Sequence, residues 1–251
     1  TTIRTQQMKI LIVGATSAIA IATARRFAIR NPHFCLLARN INKMESVSKD
    51  LIIRGAASAK CLSIDLVDQD QQTAKIKEAF SLFKGFDVVL VCYGFLPNQS
   101  QCETNIKQIN NALDCNALSV LSLLTILVPY MENSNKATIA VVTSVAGDRG
   151  RRSNFIYGSA KAMVSSYLQG LRGKLAKTNI SLLEIRPGLV DSPMTSHLPK
   201  TRLFSSPDTI GKKIEWGIDK QKTTIYAPGY WRPIMWVVKL MPDKLFMRVK
   251  F

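Results

Sequence analysis

Histidine is almost absent from this 251-residue chain; His33 and His197 are the two it has. The five cysteines, Cys35, Cys61, Cys92, Cys102 and Cys115, are scattered, with no C-x-x-C pair. A zinc site therefore has little to be built from. The odd count and the apolar surroundings fit buried thiols and a reducing, cytoplasmic compartment better than a disulfide framework. No run of 18 or more apolar residues occurs. The nearest, 117–131, is broken by Ser119, Ser122, Thr125 and Pro129 and reads as a buried helix. No secretory pattern opens the chain, and the polar residues 1–7 are expected to be a flexible extension. Acidic residues are scarce: 17 Asp and Glu face 34 Lys and Arg, a net charge of +17. Such a surface attracts polyanions: nucleic acid, anionic lipid or phosphorylated ligands. Without a zinc finger or a recognised basic motif, nucleic acid is not an expected partner.

What is present is core-forming material. Hydrophobic residues make up 47% and charged residues 20%, which excludes wholesale disorder. Apolar runs at 9–13, 34–38, 59–64, 88–92, 138–143, 181–186 and 224–227 are continuous rather than alternating, as parallel strands buried on both faces should be. Helical patterns at 17–30, 41–55, 70–84, 103–131, 155–178 and 208–220 lie between them. The alternation predicts an α/β fold, a Rossmann-type doubly wound parallel sheet with helices on both faces. A dinucleotide-binding reductase domain is expected over 1–225, with an aromatic and basic segment over 226–251.

Ligands of such sheets bind beyond the carboxyl ends of the strands, so strand ends carry the weight. The first strand runs into Gly14-Ala15-Thr16-Ser17-Ala18-Ile19-Ala20. Gly14 suits the tight turn, Thr16 and Ser17 can cap the helix or bond phosphate, and the helix N-terminus is an anion site. The usual glycines at 18 and 20 are alanines here. The second strand ends Ala38-Arg39-Asn40, without the acidic residue that holds ribose hydroxyls. Arg39 offers a guanidinium to a 2′-phosphate instead, which favours NADP(H) over NAD(H). Asp65, before Leu66, can accept from an adenine amino group or cap a helix.

Ser144, Tyr157 and Lys161 form the most specific constellation. Tyr and Lys four apart share a helix face, and an ammonium near a phenol is expected to bring its pKa down toward the working range. Ser144 at a strand end can polarise a carbonyl. Asn116 can hold a backbone carbonyl and a proton-relaying water.

On these pieces, and on Arg186-Pro187-Gly188-Leu189-Val190, the chain resembles the short-chain dehydrogenase/reductase family over nearly its whole length. The resemblance implies a nicotinamide cofactor and Tyr157 as proton donor in carbonyl reduction. It implies that Lys161 holds the nicotinamide ribose, that Ser144 steadies the oxyanion, and that Pro187, Gly188 and Val190 wall the nicotinamide. Val91-Cys92-Tyr93-Gly94 departs from the family's Asn-Asn-Ala-Gly, keeping only Gly94, and Ser192 stands where a Thr is common. Within the family, residues 149–161, 186–198 and the tail from Tyr226 resemble reductases of a keto-pentose carried on a polyprenyl phosphate. That likeness implies a lipid-linked keto-sugar substrate, a partner oxidase that supplies the ketone, and a homo-oligomer.

Arg149, Arg151 and Arg152 lie in the loop before the catalytic helix and could meet a phosphodiester. They could equally be a solvated basic loop. His197 falls in an expected substrate lid. The tail mixes Trp231, Trp236, Leu and Met with Lys and Arg, which suits either a peripheral membrane contact or a lid. Rival readings are a reductase of another keto-lipid, and a nucleotide-sensing protein that has kept the fold without turnover.

Overall fold

The computed structural model describes residues 7–132, 134 and 136–248. Most of the expected N-terminal extension and the last three residues of the tail lie outside these. Seven parallel strands form one sheet in the order β3-β2-β1-β4-β5-β6-β7. They are β1 (Lys9–Val13), β2 (His33–Ala38), β3 (Ser58–Ser63), β4 (Val88–Val91), β5 (Ala137–Val142), β6 (Ile180–Pro187) and β7 (Thr224–Ala227). The chain winds outward from β1 in one direction and then, from β4, in the other. This reversal opens a crevice beyond the carboxyl ends of β1 and β4.

The continuous apolar runs have a simple origin. Successive strand residues point to opposite faces, and both faces are covered. Leu11 and Val13 enter the core under α3 (Gln69–Phe83), α6 (Ser119–Met131) and α7 (Phe155–Leu175). Ile10 and Ile12 enter the core under α1 (Ala18–Ala28), α2 (Ile41–Ile53) and α8 (Pro207–Asp219). Helix starts follow short polar side chains. Asn40 accepts from the Lys43 N–H, Asp68 from Gln71 and Ser206 from Thr209. Asp68, not Asp65, therefore caps α3. His33 opens β2 and bonds Ser58 and Gln7.

One long helix over 103–131 is not what forms. α4 (Gln99–Thr104) stops at Asn105, whose extended backbone and side chain restart the chain as α5 (Ile106–Leu113). A π-helical turn, Asp114–Leu118, joins α5 to α6. By length and composition Ile106–Met131 would pass for a membrane span, but half of its most apolar 18-residue window is buried. It packs against α3 and α7 as a core helix.

The tail is part of the body. α9 (Trp231–Leu240) and α10 (Asp243–Phe246) follow β7, so the expected division at 225 falls inside that strand. Trp231, Met235 and Val238 pack with Val145 in a third, smaller core.

Between β5, β6 and α7 lies a buried carboxylate. Glu184 accepts from Thr143 (3.0 Å), Ser165 (2.6 Å) and two nitrogens of Arg186 (2.9 and 3.0 Å). Arg186 also reaches Asp148 at 2.5 Å and Tyr226 at 3.2 Å, and Tyr226 donates to Asp148 at 2.8 Å. Burial works against charge on Arg186, but its partner carboxylates hold it charged. Breaking one partner of such a pair leaves an unanswered buried charge. Glu184→Ala is therefore expected to cost about 3–5 kcal/mol of stability, measured by urea unfolding. Lys75→Ala, which breaks the exposed pair with Glu78, is expected to cost under about 1 kcal/mol. Equal costs would refute the role given to Glu184.

Candidate active site

The crevice holds a cavity of about 280 Å³. Its walls come from the β1–α1 loop, the segment after β4, the end of β5, the first turns of α7, the segment after β6, and α9.

Gly14 turns the chain at φ +85°, and a Cβ there would lie 2.4 Å from the Cys92 carbonyl oxygen. Only glycine fits that approach. Thr16, Ser17, Ala18 and Ile19 line the cavity at the start of α1. No acidic residue occupies the first turn, so the free N–H groups and the dipole favour an anion. Ser17 does not cap the helix; its hydroxyl meets Cys92 Sγ at 3.3 Å. The two alanines differ in consequence. Ala20 is turned into the core, and only Ala18 adds a methyl to the cavity wall.

Gly94, at φ +140°, is the second close approach. A Cβ there would meet Asn116 Oδ1 at 2.4 Å and Lys161 Nζ at 3.5 Å. The π turn explains why Asn116 reaches this point. Widening the ladder swings its side chain to accept from the Phe95 N–H at 3.0 Å and donate to the Ala112 carbonyl at 3.0 Å. Asn116 thus holds a backbone carbonyl, that of Ala112, as expected, and in addition fixes the segment after β4 through the Phe95 N–H.

Ser144, at the end of β5, accepts from the Ala146 N–H at 3.1 Å and hydrogen-bonds Tyr157. Tyr157 and Lys161 lie on the same face of α7, with Lys161 Nζ 5.7 Å from the Tyr157 ring centre. α7 comes this close because residue 158 is glycine; a Cβ there would press on the Ala146 carbonyl at 2.8 Å. Burial pushes the Tyr157 phenol up to about 12, against the pull of Ser144. Burial likewise pushes the Lys161 ammonium down to about 8. The expected lowering of the phenol by the lysine is therefore not found. Both groups have lost water, and burial is the largest cause of each shift. At neutral pH the phenol is held as an acid, able to give a proton.

The remaining predicted residues divide. Tyr93, Pro187, Gly188, Val190 and Arg151 line the cavity. Gly188, expected to wall a nicotinamide, has the indole of Trp231 against it, with a Cβ position 1.8 Å from Trp231 Nε1. Arg39, Asn40, Asp65 and Leu66 lie outside the cavity lining, at the ends of β2 and β3. Asn40 is spent on its cap, and Asp65 accepts from the Val67 N–H at 3.1 Å. Arg149 does not face the cavity. It donates to the Val238 and Met241 carbonyls and to Asp243, and stacks on Phe246. Arg152 and His197 are exposed outside the lining.

Lys43 and Leu96 line the cavity without having been marked from the sequence, and Trp231 of the tail lines it as well. Only Lys43 left a local sign, a lysine three residues after the Asn40 cap.

A doubly wound parallel sheet with a glycine-turned anion site and a Ser–Tyr–Lys set at its carboxyl edge defines an oxidoreductase. The chain belongs to the short chain dehydrogenase family, whose model matches residues 8–203. It is 30% identical over 241 residues to an uncharacterized oxidoreductase of Streptomyces coelicolor, covering 96% of this chain and 95% of that one. An uncharacterized oxidoreductase of Mycobacterium tuberculosis is 27% identical over 240 residues, covering 96% of each. Among solved structures, levodione reductase matches at a TM-score of 0.81 and 18% identity, covering 90% of this chain and 98% of that chain. A single-residue variant of actinorhodin polyketide ketoreductase, solved with NADPH, matches at 0.79 and 17%, covering 89% and 96%.

A lysine whose folded pKa lies below its unfolded value binds fewer protons folded than unfolded between the two values, so stability rises with pH there. For Lys161 the window runs from about 8 to 10.5. The thiols of Cys35, Cys61, Cys92 and Cys115, all pushed up by burial, act oppositely as pH approaches and passes 9. The Lys161 contribution is therefore read against a variant that keeps those thiols: between pH 8 and 9 the wild type is expected to gain stability relative to Lys161→Met, by at most about 1.4 kcal/mol. Melts of both proteins at both pH values with the same slope would refute the assignment.

Proposed function

We propose that this enzyme reduces a ketone with NADPH, NADH serving less well. The observation that carries the reading is the convergence of Ser144, Tyr157 and Lys161 on one cavity beside the start of α1, with Asn116 bonded behind it to the Phe95 amide. The cavity suits a dinucleotide. Gly14 and Gly94 sit where a Cβ would clash, and the N-terminus of α1 is an anion site without acidic neighbours. Thr16, Ser17, Ala18 and Ile19 would hold the pyrophosphate, and Tyr93, Pro187 and Val190 the nicotinamide end. Lys43 on the cavity wall, with Arg39 just past the end of β2, would meet a 2′-phosphate. When bound, the cofactor supplies a hydride to the carbonyl carbon.

The chain's own residues do the rest. Ser144 has a lone pair engaged by the Ala146 N–H, which leaves its O–H to donate to the carbonyl oxygen. Tyr157, held neutral by burial, gives its phenolic proton to that oxygen as negative charge develops. Lys161 stands behind the phenol to steady the phenolate left by the transfer. Asn116 keeps the Phe95 amide, and so the wall after β4, in place.

For the substrate, we propose the 2-keto group of a pentose carried on a polyprenyl phosphate, as in the decaprenylphosphoryl-2-keto-ribose reductases that the sequence resembles. The support is chemical. Arg151, a guanidinium whose pKa burial draws down, shares the cavity wall with Leu96, Met194, Leu198 and Trp231. A cation beside apolar side chains suits a phosphate joined to a lipid. Arg149 is turned toward the tail and does not face this substrate.

Tyr157→Phe should lower kcat by about 10²–10⁴-fold while NADPH still binds; turnover within a few-fold of wild type would overturn the mechanism. Arg39→Asp combined with Lys43→Glu should weaken NADPH by at least about tenfold, through loss of charge-assisted bonds, and leave NADH nearly unchanged. Equal weakening, read by fluorescence titration, would remove the 2′-phosphate role. Oxidation of NADPH with a polyprenyl-phosphoryl keto-pentose but not with the free keto-pentose is the result expected of the substrate proposal. Oxidation with simple ketones alone would leave a ketone reductase of another specificity.

A further inference from the structure

The outward side of the last two helices differs from the rest of the surface. α9 turns Trp231, Met235 and Val238 inward. Arg232, Trp236 and Leu240, at i, i+4 and i+8, form one outward row, with Val237 beside it and Lys239 at its edge. Trp236 is 63% exposed and Leu240 64%. Beyond them Leu245 and Met247 are also exposed, between Lys244 and Arg248. The acidic residue of this stretch, Asp243, is already paired with Arg149 at 2.5 Å. Tryptophan and leucine set in a row among cations are the chemistry of a helix that lies in a lipid–water boundary.

We propose that α9 and α10 form a docking surface for an anionic lipid bilayer. Trp236, Val237 and Leu240 enter the boundary between headgroups and acyl chains. Arg232, Lys239, Lys244 and Arg248 supply the positive charge that meets acidic headgroups. A second copy of this chain fits less well. A two-fold contact through this face would set the same four cations against each other.

The inner side of the same helix is cavity wall: Trp231 covers Gly188, and Met235 Sδ lies 3.4 Å from Arg151. Docking would therefore bring the mouth of the active site beside the membrane. The inference rests on the surface and not on which ketone is reduced.

Deleting α9 would also remove Trp231 from the cavity, so the test uses outward residues of the full chain. The probe is vesicles of phosphatidylglycerol mixed equally with phosphatidylcholine, compared with phosphatidylcholine alone. The wild type should co-sediment with the anionic vesicles, shift its tryptophan emission to the blue, and bind the neutral vesicles weakly. Trp236→Ser with Leu240→Ser should lower partitioning at least about tenfold, with melting temperature and NADPH binding unchanged. Arg232→Glu with Lys239→Glu should do the same. Lys49→Glu with Lys60→Glu, an equal charge change at the opposite edge of the sheet, should have a much smaller effect.

Equal losses from the two charge reversals would mean diffuse attraction by a chain of net charge +17, and would overturn the proposal. So would undiminished binding by the Trp236/Leu240 variant. Velocity sedimentation without lipid should give the same mass for wild type and that variant. A smaller assembly in the variant would give the face to a second copy instead.

Discussion

Glu184 is a charge in a place where charge is costly, and the groups that answer for it come from three elements. Thr143 immediately precedes Ser144. Ser165 lies one turn beyond Lys161 on α7. Arg186 immediately precedes the Pro187-Gly188 wall. One carboxylate thus joins the end of β5, α7 and the end of β6, the three segments that carry Ser144, Tyr157 with Lys161, and the Pro187-Gly188 cavity wall. Arg186 extends the tie to Asp148, just past the turn after Ser144, and to Tyr226 on β7. Paired buried charges add little net stability, but each bond demands its own geometry. The network's main effect is on register: a shift of any one segment would strand a charge without solvent.

The site built on this frame works by withholding water. Tyr157 and Lys161 are both disfavoured in their charged forms, for the same reason and in opposite pKa directions. The phenol therefore keeps its proton until charge on a neighbouring atom makes the phenolate worthwhile. The close approach of Gly94 to Asn116 and Lys161 is what seals this corner. A methyl in place of that hydrogen would have to push the lysine, the amide or the segment after β4 out of line.

Much of this was legible along the chain. Sheet strands announce themselves when both faces are buried, because alternation disappears and only a run of Val, Ile and Leu is left. Ser144, Tyr157, Lys161 and Asn116 were legible because their order and the elements beneath them are more informative than any one of them. The break at Asn105 was not. The residues around it are polar and mostly exposed, so they give no apolar phase, and a capping side chain can interrupt the helix without altering composition. The π turn at Asn116 was hidden because one widened turn leaves no mark in composition. Trp231 against Gly188, and Arg149 holding the tail, are contacts between residues far apart in sequence, and nothing local marks them. The pKa of Tyr157 was misjudged because its lysine neighbour is visible in sequence and its burial is not.

Consider finally the indole seated on Gly188. It makes the last helix and the segment after β6 a matched pair rather than a body and an appendage. A tail transplanted from a relative would bring its own side chain to that spot, and a larger residue at 188 would find the place taken. Chimeras that exchange the end of the chain should therefore succeed only when both partners travel together, however well the graft is joined at β7.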